Sequence, residues 1–118
     1  MIELLSGFGC RILFYSVDYD PKVAQSAEFA DLDTLYAESD IITFHLPLLP
    51  ATKHMINRDS LKKLKKGVIL INTARGELFE TEALIEGIES CKIGALAMDV
   101  FEGEDGIYHV DLTDDIVR

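Results

Sequence analysis

The sequence predicts an α/β domain built on a parallel sheet, and three observations carry that prediction. Apolar, β-branched-rich runs alternate along the chain with stretches of helical periodicity, the pattern of βαβ units. Two of the runs, "VILIN" and "ALAM", lack polar alternation, as strands covered on both faces by helices do. The chain has 118 residues, 48% of them apolar, which suits one packed domain spanning residues 1–118.

Each element has its own justification. "MIELLSGFGC" begins with a helical stretch that Gly7 and Gly9 close. "RILFYS" (11–16) is the first apolar run, and "FADLDTLYAES" (29–39) reads as a short amphipathic helix. "DIITFHL" (40–46) is the second run. "RDSLKKLKK" (58–66) has Asn57 or Asp59 as candidate N-cap and Gly67 as its stop. Its lysines suit the negative end of a helix. "GVILINT" (67–73) is the third run. "TEALIEGIESCK" (81–92) comes next, with Thr81 as candidate N-cap, Glu80 and Glu82 at its positive end, and Leu84, Ile85 and Ile88 as its apolar face. "IGALAMDV" (93–100) is the last run.

Composition excludes several classes of function. With 21 acidic against 11 basic residues the net charge is −10, which argues against nucleic acid, because neutralising phosphates needs clustered Lys and Arg. No apolar run approaches the roughly 18 residues that span a bilayer. The start has no basic segment of a signal peptide, which points to the cytoplasm. Cys10 and Cys91 have no metal-ligand spacing and read as free thiols, so no metal is expected.

In a parallel α/β sheet, ligands bind outside the carboxyl ends of the strands. The residues there are Ser16; His45, Leu46 and Pro47; Thr73, Ala74 and Arg75; and Asp99, with Glu102 and Glu104 just beyond. Any one of them is an ordinary turn residue. Together they place His, Arg, Asp and Glu on one rim, where a guanidinium grips a carboxylate in a bidentate fork that lysine does not reproduce.

"HLPLLPATKHMIN", "LKKGVILINTARGELFETEALIEGI" and "GALAMDVFEGE" resemble the D-isomer-specific 2-hydroxyacid dehydrogenases, over roughly residues 4 to 113. Within that family the chain is most similar to the D-lactate dehydrogenases, and "SGFGCRILFYS" and "EGED" resemble the subgroup of vancomycin-resistance clusters. The resemblance implies that Arg75 binds the carboxylate of a 2-keto acid and polarises its carbonyl. It implies that Glu104, 29 residues on (104 − 75), partners a catalytic histidine and raises its pKa. That histidine protonates the carbonyl oxygen as nicotinamide delivers hydride. Asp99 matches an aspartate near the nicotinamide. Leu46, Pro47, Thr52, Thr73 and Ala74 match positions lining the cofactor, and His45, Ser16 and Arg75 complete the expected cofactor set. On the residues alone, Glu104 also reads as a loop residue, Asp99 as a turn cap, His45 as a satisfied core histidine and Glu102 as solvated.

The chain departs from the family pattern at several points. The catalytic histidine is missing: His109 lies too near Glu104, and His54 reads as part of a surface turn. A G-x-G-x-x-G phosphate cradle is missing too, since Gly7 and Gly9 precede the first run rather than follow a strand. Ser16 stands where the family commonly has an Asp on the adenosine ribose. A Ser there tolerates a 2′-phosphate, but no Arg comes after it to hold one, and Asp18 and Asp20 would repel it, so the choice stays open between NAD and NADP with NAD slightly favoured. Glu77 replaces a frequent Pro.

The expected fold is therefore an incomplete Rossmann-type doubly wound parallel sheet, a partial dinucleotide-binding domain. In the order 3-2-1-4-5-6 the four runs read as strands 2, 3, 4 and 5. Without strand 1, strands 2 and 4 have bare edges, so the chain is expected to be part of a longer protein or to be completed by another chain. The substrate domain is absent as well, and the chain alone is expected to be nearly inactive. The function expected is the cofactor-binding portion of an oxidoreductase that transfers hydride between NAD(P)H and a small 2-keto acid, pyruvate to D-lactate in the first instance. The full-length family suggests a homodimer. The other reading is a non-catalytic dinucleotide-binding or dimerisation module, or an inactive fragment.

Overall fold

The computed structural model describes residues 1–103. Among these, five strands form, and every pairing is parallel. Strands β1 (Leu13–Phe14) and β2 (Glu28–Phe29) make one sheet; β3 (Ile41–Phe44), β4 (Val68–Asn72) and β5 (Ile93–Met98) make the other, in that order. The helices are α1 (Ile2–Ser6), α2 (Leu32–Glu38), α3 (Arg58–Lys63) and α4 (Thr81–Glu89).

The β-branched run of β4 takes the centre of its sheet, where Leu70 is fully buried. Ile42 and Phe44 from β3 share its inner face, packed against Tyr36 of α2, Leu61 of α3, and Ala83 and Leu84 of α4. The other face does not match the two-sided cover expected. Among the described residues it is open: Ile41, Ala95 and Ala97 are exposed, and Ile69 and Ile71 only half-buried.

The segment read as one helix over 29–39 begins with a strand. Glu28 and Phe29 pair with Leu13 and Phe14, and the Phe29 ring packs edge-on against Phe14 and Tyr19, both at 5.4 Å. The helix starts after Asp31, whose Oδ1 accepts from the Thr34 amide at 2.7 Å. A two-residue strand carries too little periodicity to be seen in sequence. The strands thus sit at positions 3 and 2, then 4, 5 and 6, of the order 3-2-1-4-5-6, rather than at 2 to 5. Between β1 and β3, at the position of strand 1, lies a groove of about 1190 Å³ with α1 along it.

The helix ends bear out one expected cap and correct two further expectations. Asn57 is the N-cap of α3: its Oδ1 accepts from the amides of Asp59 and Ser60, and Ser60 Oγ accepts from the Asn57 amide in return. The helix stops at Lys63, ahead of Gly67, because Leu64 turns extended and buries its side chain. In α4, Thr81 is the first helical residue, not the cap; Glu80 holds the cap position without a side-chain hydrogen bond. The buried stripe of α4 is Ala83, Leu84 and Gly87, while Ile85 and Ile88 face outward. Gly87 decides that rotation, since a Cβ there would come within 2.6 Å of Ile93.

Tyr36 ties α2 to the core, its hydroxyl donating to the Met55 carbonyl at 3.1 Å. Burial, with nearby Asp33 and Tyr15, pushes this phenol from its ordinary 10.0 up to about 12. The folded state keeps a proton that the unfolded chain gives up, so this stabilisation is complete below pH 10.0 and is lost as pH rises through about 12. Thermal melting across that window should show the stability difference between wild type and Tyr36→Phe shrinking as pH rises; a constant difference would contradict it.

Candidate functional site

Parallel pairing brings the carboxyl ends of β3, β4 and β5 to one edge, and the register makes them level. Phe44 is opposite Asn72, and Asn72 is opposite Met98. His45, Thr73 and Asp99 are therefore the first residues past three neighbouring strands. Asp99 is held there by its amide, which donates to the Asn72 carbonyl at 3.1 Å. Ser16 lies two residues past β1 and, with His45 and Leu46, lines the groove between β1 and β3. This is where strand order reverses and where such sheets bind ligands.

Asn72, which is not among the residues expected at the site, builds the turn after β4. Its side chain is fully buried; Oδ1 accepts from the Ala74 amide at 3.0 Å and Nδ2 donates to the Arg75 carbonyl at 2.8 Å. A polar residue closing an apolar run is the available signal, because a buried amide must find partners. The turn leaves Thr73 and Arg75 exposed and Ala74 half-buried. Arg75 Nη1 donates to the Ala74 carbonyl at 2.7 Å, and among the described residues no carboxylate lies within ion-pair distance of the guanidinium.

The other expected residues divide. His45 is exposed, not a core histidine, with Nε2 at 2.9 Å from Thr43 Oγ1. Pro47 is exposed, and its carbonyl accepts from Thr52 Oγ1 at 2.7 Å. The Thr52 hydroxyl also accepts from the Leu49 amide, so this buried side chain organises the loop after β3 from within. Glu104 and His109 lie outside the described residues. Glu102, expected to be solvated, is bound instead: Oε1 sits 2.6 Å from His54 Nε2, and Oε2 accepts from Thr81 Oγ1 at 2.8 Å and from the Thr81 amide at 3.2 Å. Burial pushes this carboxyl up, but the bonds from Thr81 and His54 outweigh it and hold its pKa below the ordinary glutamate value. Its partners are 48 and 21 residues away, so no local pattern announces it.

Residues 1–115 match the family model of the D-isomer specific 2-hydroxyacid dehydrogenase, NAD binding domain. The chain belongs to that family. D-lactate dehydrogenase from Lactobacillus delbrueckii subsp. bulgaricus is 40% identical over 111 residues, covering 93% of this chain and 33% of the relative. An aromatic 2-oxoacid reductase from Clostridium sporogenes is 42% identical, covering 100% of this chain and 36% of the relative. Among solved structures, the NAD-complexed D-isomer specific 2-hydroxyacid dehydrogenase of Lactobacillus delbrueckii ssp. bulgaricus superposes with a TM-score of 0.88 at 37% identity, covering 99% of this chain and 36% of that one. A pyruvate reductase of Chlamydomonas reinhardtii gives 0.86 at 46% identity, covering 96% and 34%. The chain spans about a third of the length of these relatives.

NAD fits the part of its site present here. At the carboxyl end of the groove, at the switch point, Ser16, His45 and Leu46 offer hydroxyl, imidazole and apolar groups. The level strand ends set Thr73 and Asp99 alongside.

The Asn72 turn gives a direct test. Asn72→Ala leaves the Ala74 amide without its acceptor, and removing one partner of a buried hydrogen bond lowers stability by about 1–3 kcal/mol. Urea denaturation measures this; a loss under about 0.5 kcal/mol would mean that the turn holds its shape without Asn72.

Proposed function

We propose that this chain is the cofactor-binding part of an NAD-dependent reductase of small 2-keto acids, with pyruvate to D-lactate as the leading reaction. One observation carries the reading: Arg75, which has no carboxylate partner among the described residues, has its backbone fixed by the buried Asn72 beside a level rim that holds His45, Thr73 and Asp99. The activities for which the relatives are named, D-lactate dehydrogenase, aromatic 2-oxoacid reductase and pyruvate reductase, concern acids of this class and add support.

In this reading the Arg75 guanidinium binds the substrate carboxylate through two parallel N–H bonds, which fixes the keto carbon relative to the rim. A second effect of the same cation is to stabilise the negative charge that grows on the carbonyl oxygen. Bound NADH supplies the hydride. Asp99 and Thr73 line the nicotinamide side, and Ser16 the ribose side, of a cofactor cleft that runs along the carboxyl ends of the strands, above the groove. Glu104 is assigned to orient and charge the histidine that donates the proton. The groove between β1 and β3 would be filled by one apolar strand, from elsewhere in a longer chain or from another chain. Both bare edges and the exposed Ile41 support this. A cytoplasmic setting is in keeping with the two exposed, unpaired cysteines.

The test is a full-length chimera in which this chain replaces the matching segment of the Lactobacillus D-lactate dehydrogenase. Arg75→Lys should lower kcat/KM for pyruvate on the order of 100-fold with unchanged NADH affinity. Wild-type kinetics in that variant would remove Arg75 from the mechanism. Fluorescence titration of the chimera should show tighter binding of NADH than of NADPH, because Asp18 and Asp20 repel a 2′-phosphate and no arginine holds one; the opposite order would refute that assignment.

A further inference from the structure

Glu102 joins three segments that are distant in sequence. One oxygen meets His54, and the other meets both the amide and the hydroxyl of Thr81. At Thr81 it does what Glu80 does not: it satisfies an amide at the start of α4, where the helix dipole favours a negative charge. Its side chain is only 30% exposed, although it belongs to a surface loop.

The His54 end of the clamp leads to the arginine. His54 stands in the left-handed region, with φ of 52°, and its backbone is tied on both sides. Its amide donates to the Glu77 carbonyl at 2.8 Å, and its carbonyl accepts from Asn57 Nδ2 at 2.9 Å. Two residues on, the Ile56 amide donates to the Leu78 carbonyl, and the Ile56 carbonyl accepts from the Glu80 amide. His54 is thus anchored to the turn Gly76–Leu78, which begins immediately after Arg75. From the other side the same turn is covered by the loop after β5. Gly76 is buried, and a Cβ on it would overlap the backbone of Phe101 and Glu102. The turn that presents the arginine is therefore held between the 54–56 segment and the 101–102 backbone, and the Glu102 carboxylate bonds one to the other.

We propose that Glu102 is a positioning residue for Arg75: its bonds to His54 and Thr81 pin the loop after β5 onto Gly76 and so fix the guanidinium where the substrate carboxylate must bind. This rests on the role given to Arg75 in the proposed reaction. In this role Glu102 acts through His54 and Thr81 and not on substrate or cofactor. Without the clamp, the fold and the groove persist, but the arginine loses one wall of its turn.

The same chimera, carrying the whole chain, provides the experiment. Glu102→Ala should lower kcat/KM for pyruvate roughly 10- to 100-fold, with weaker inhibition by oxamate, a pyruvate mimic, and unchanged NADH affinity. Glu102→Gln, which keeps an acceptor for Thr81, should recover part of that loss. Gly76→Ala displaces the same loop from the opposite side, so it should give the same kinetic signature, and the double variant should be no worse than the more impaired single one. Glu102→Ala with kinetics unchanged, or with NADH affinity falling in parallel with kcat/KM, would overturn the proposal. So would additive losses in the double variant. If the unmodified chimera is inactive, the proposed reaction fails, and Glu102 is judged on this chain alone. There, Glu102→Ala should speed amide hydrogen exchange at both Thr81 and Leu78 while Leu70 in the core stays protected. Faster exchange at Thr81 only would show a helix cap and nothing more.

Discussion

β4 constrains everything around it. It is hydrogen-bonded on both sides to parallel neighbours, and the register brings all three strands to an end at the same height. A strand in that position has no freedom to slide, because one residue of slip would move Leu70 from the core to the open face. Its last residue, Asn72, is the one polar group in the strand, and it comes where the chain must leave the sheet. The buried amide converts the end of a rigid strand into a rigid turn. Position is thus transmitted from the hydrophobic core to a charged group in solvent through two hydrogen bonds.

The same economy governs the loop after β5. A carboxylate from that loop serves as the missing cap of α4 and as the partner of a histidine in a distant turn. Neither contact adds much stability on an exposed surface. What they fix is relative placement, and placement to within about half an ångström is what a polar site requires.

Much of this is legible in the sequence, and the failures have identifiable causes. Long apolar runs such as "VILIN" announce strands because β-branched residues fit a pleated, buried surface. Arg75 and Asp99 stand out because each lies just past the end of such a run. β2 is not legible, because two residues offer no period and its pairing is with β1, fifteen residues back (28 − 13). The face of α4 misleads because Ile85 and Ile88 outrank Ala83 and Gly87 in hydrophobicity, whereas close packing against Ile93 selects the small residues. Thr81 has the chemistry of a cap; the acceptor that serves α4 arrives from the loop after β5, which only the fold reveals. One face of β4 and β5 lies open among the described residues, because an unalternating run tells how apolar a strand is, not which elements reach it.

The short pair β1 and β2 has a consequence for how the molecule comes apart. The larger sheet is assembled from consecutive segments between residues 41 and 98, with its own buried core. The smaller pair depends on two edge-to-face contacts among Phe14, Phe29 and Tyr19, and on a fork from Arg11 to Glu28 that extends to Glu38. Those charges lie in water, where added electrolyte weakens them. Partial opening should therefore begin at the strand pair that carries Ser16 and leave the turn that carries Arg75 intact, making the two ends of the proposed site separate cooperative units.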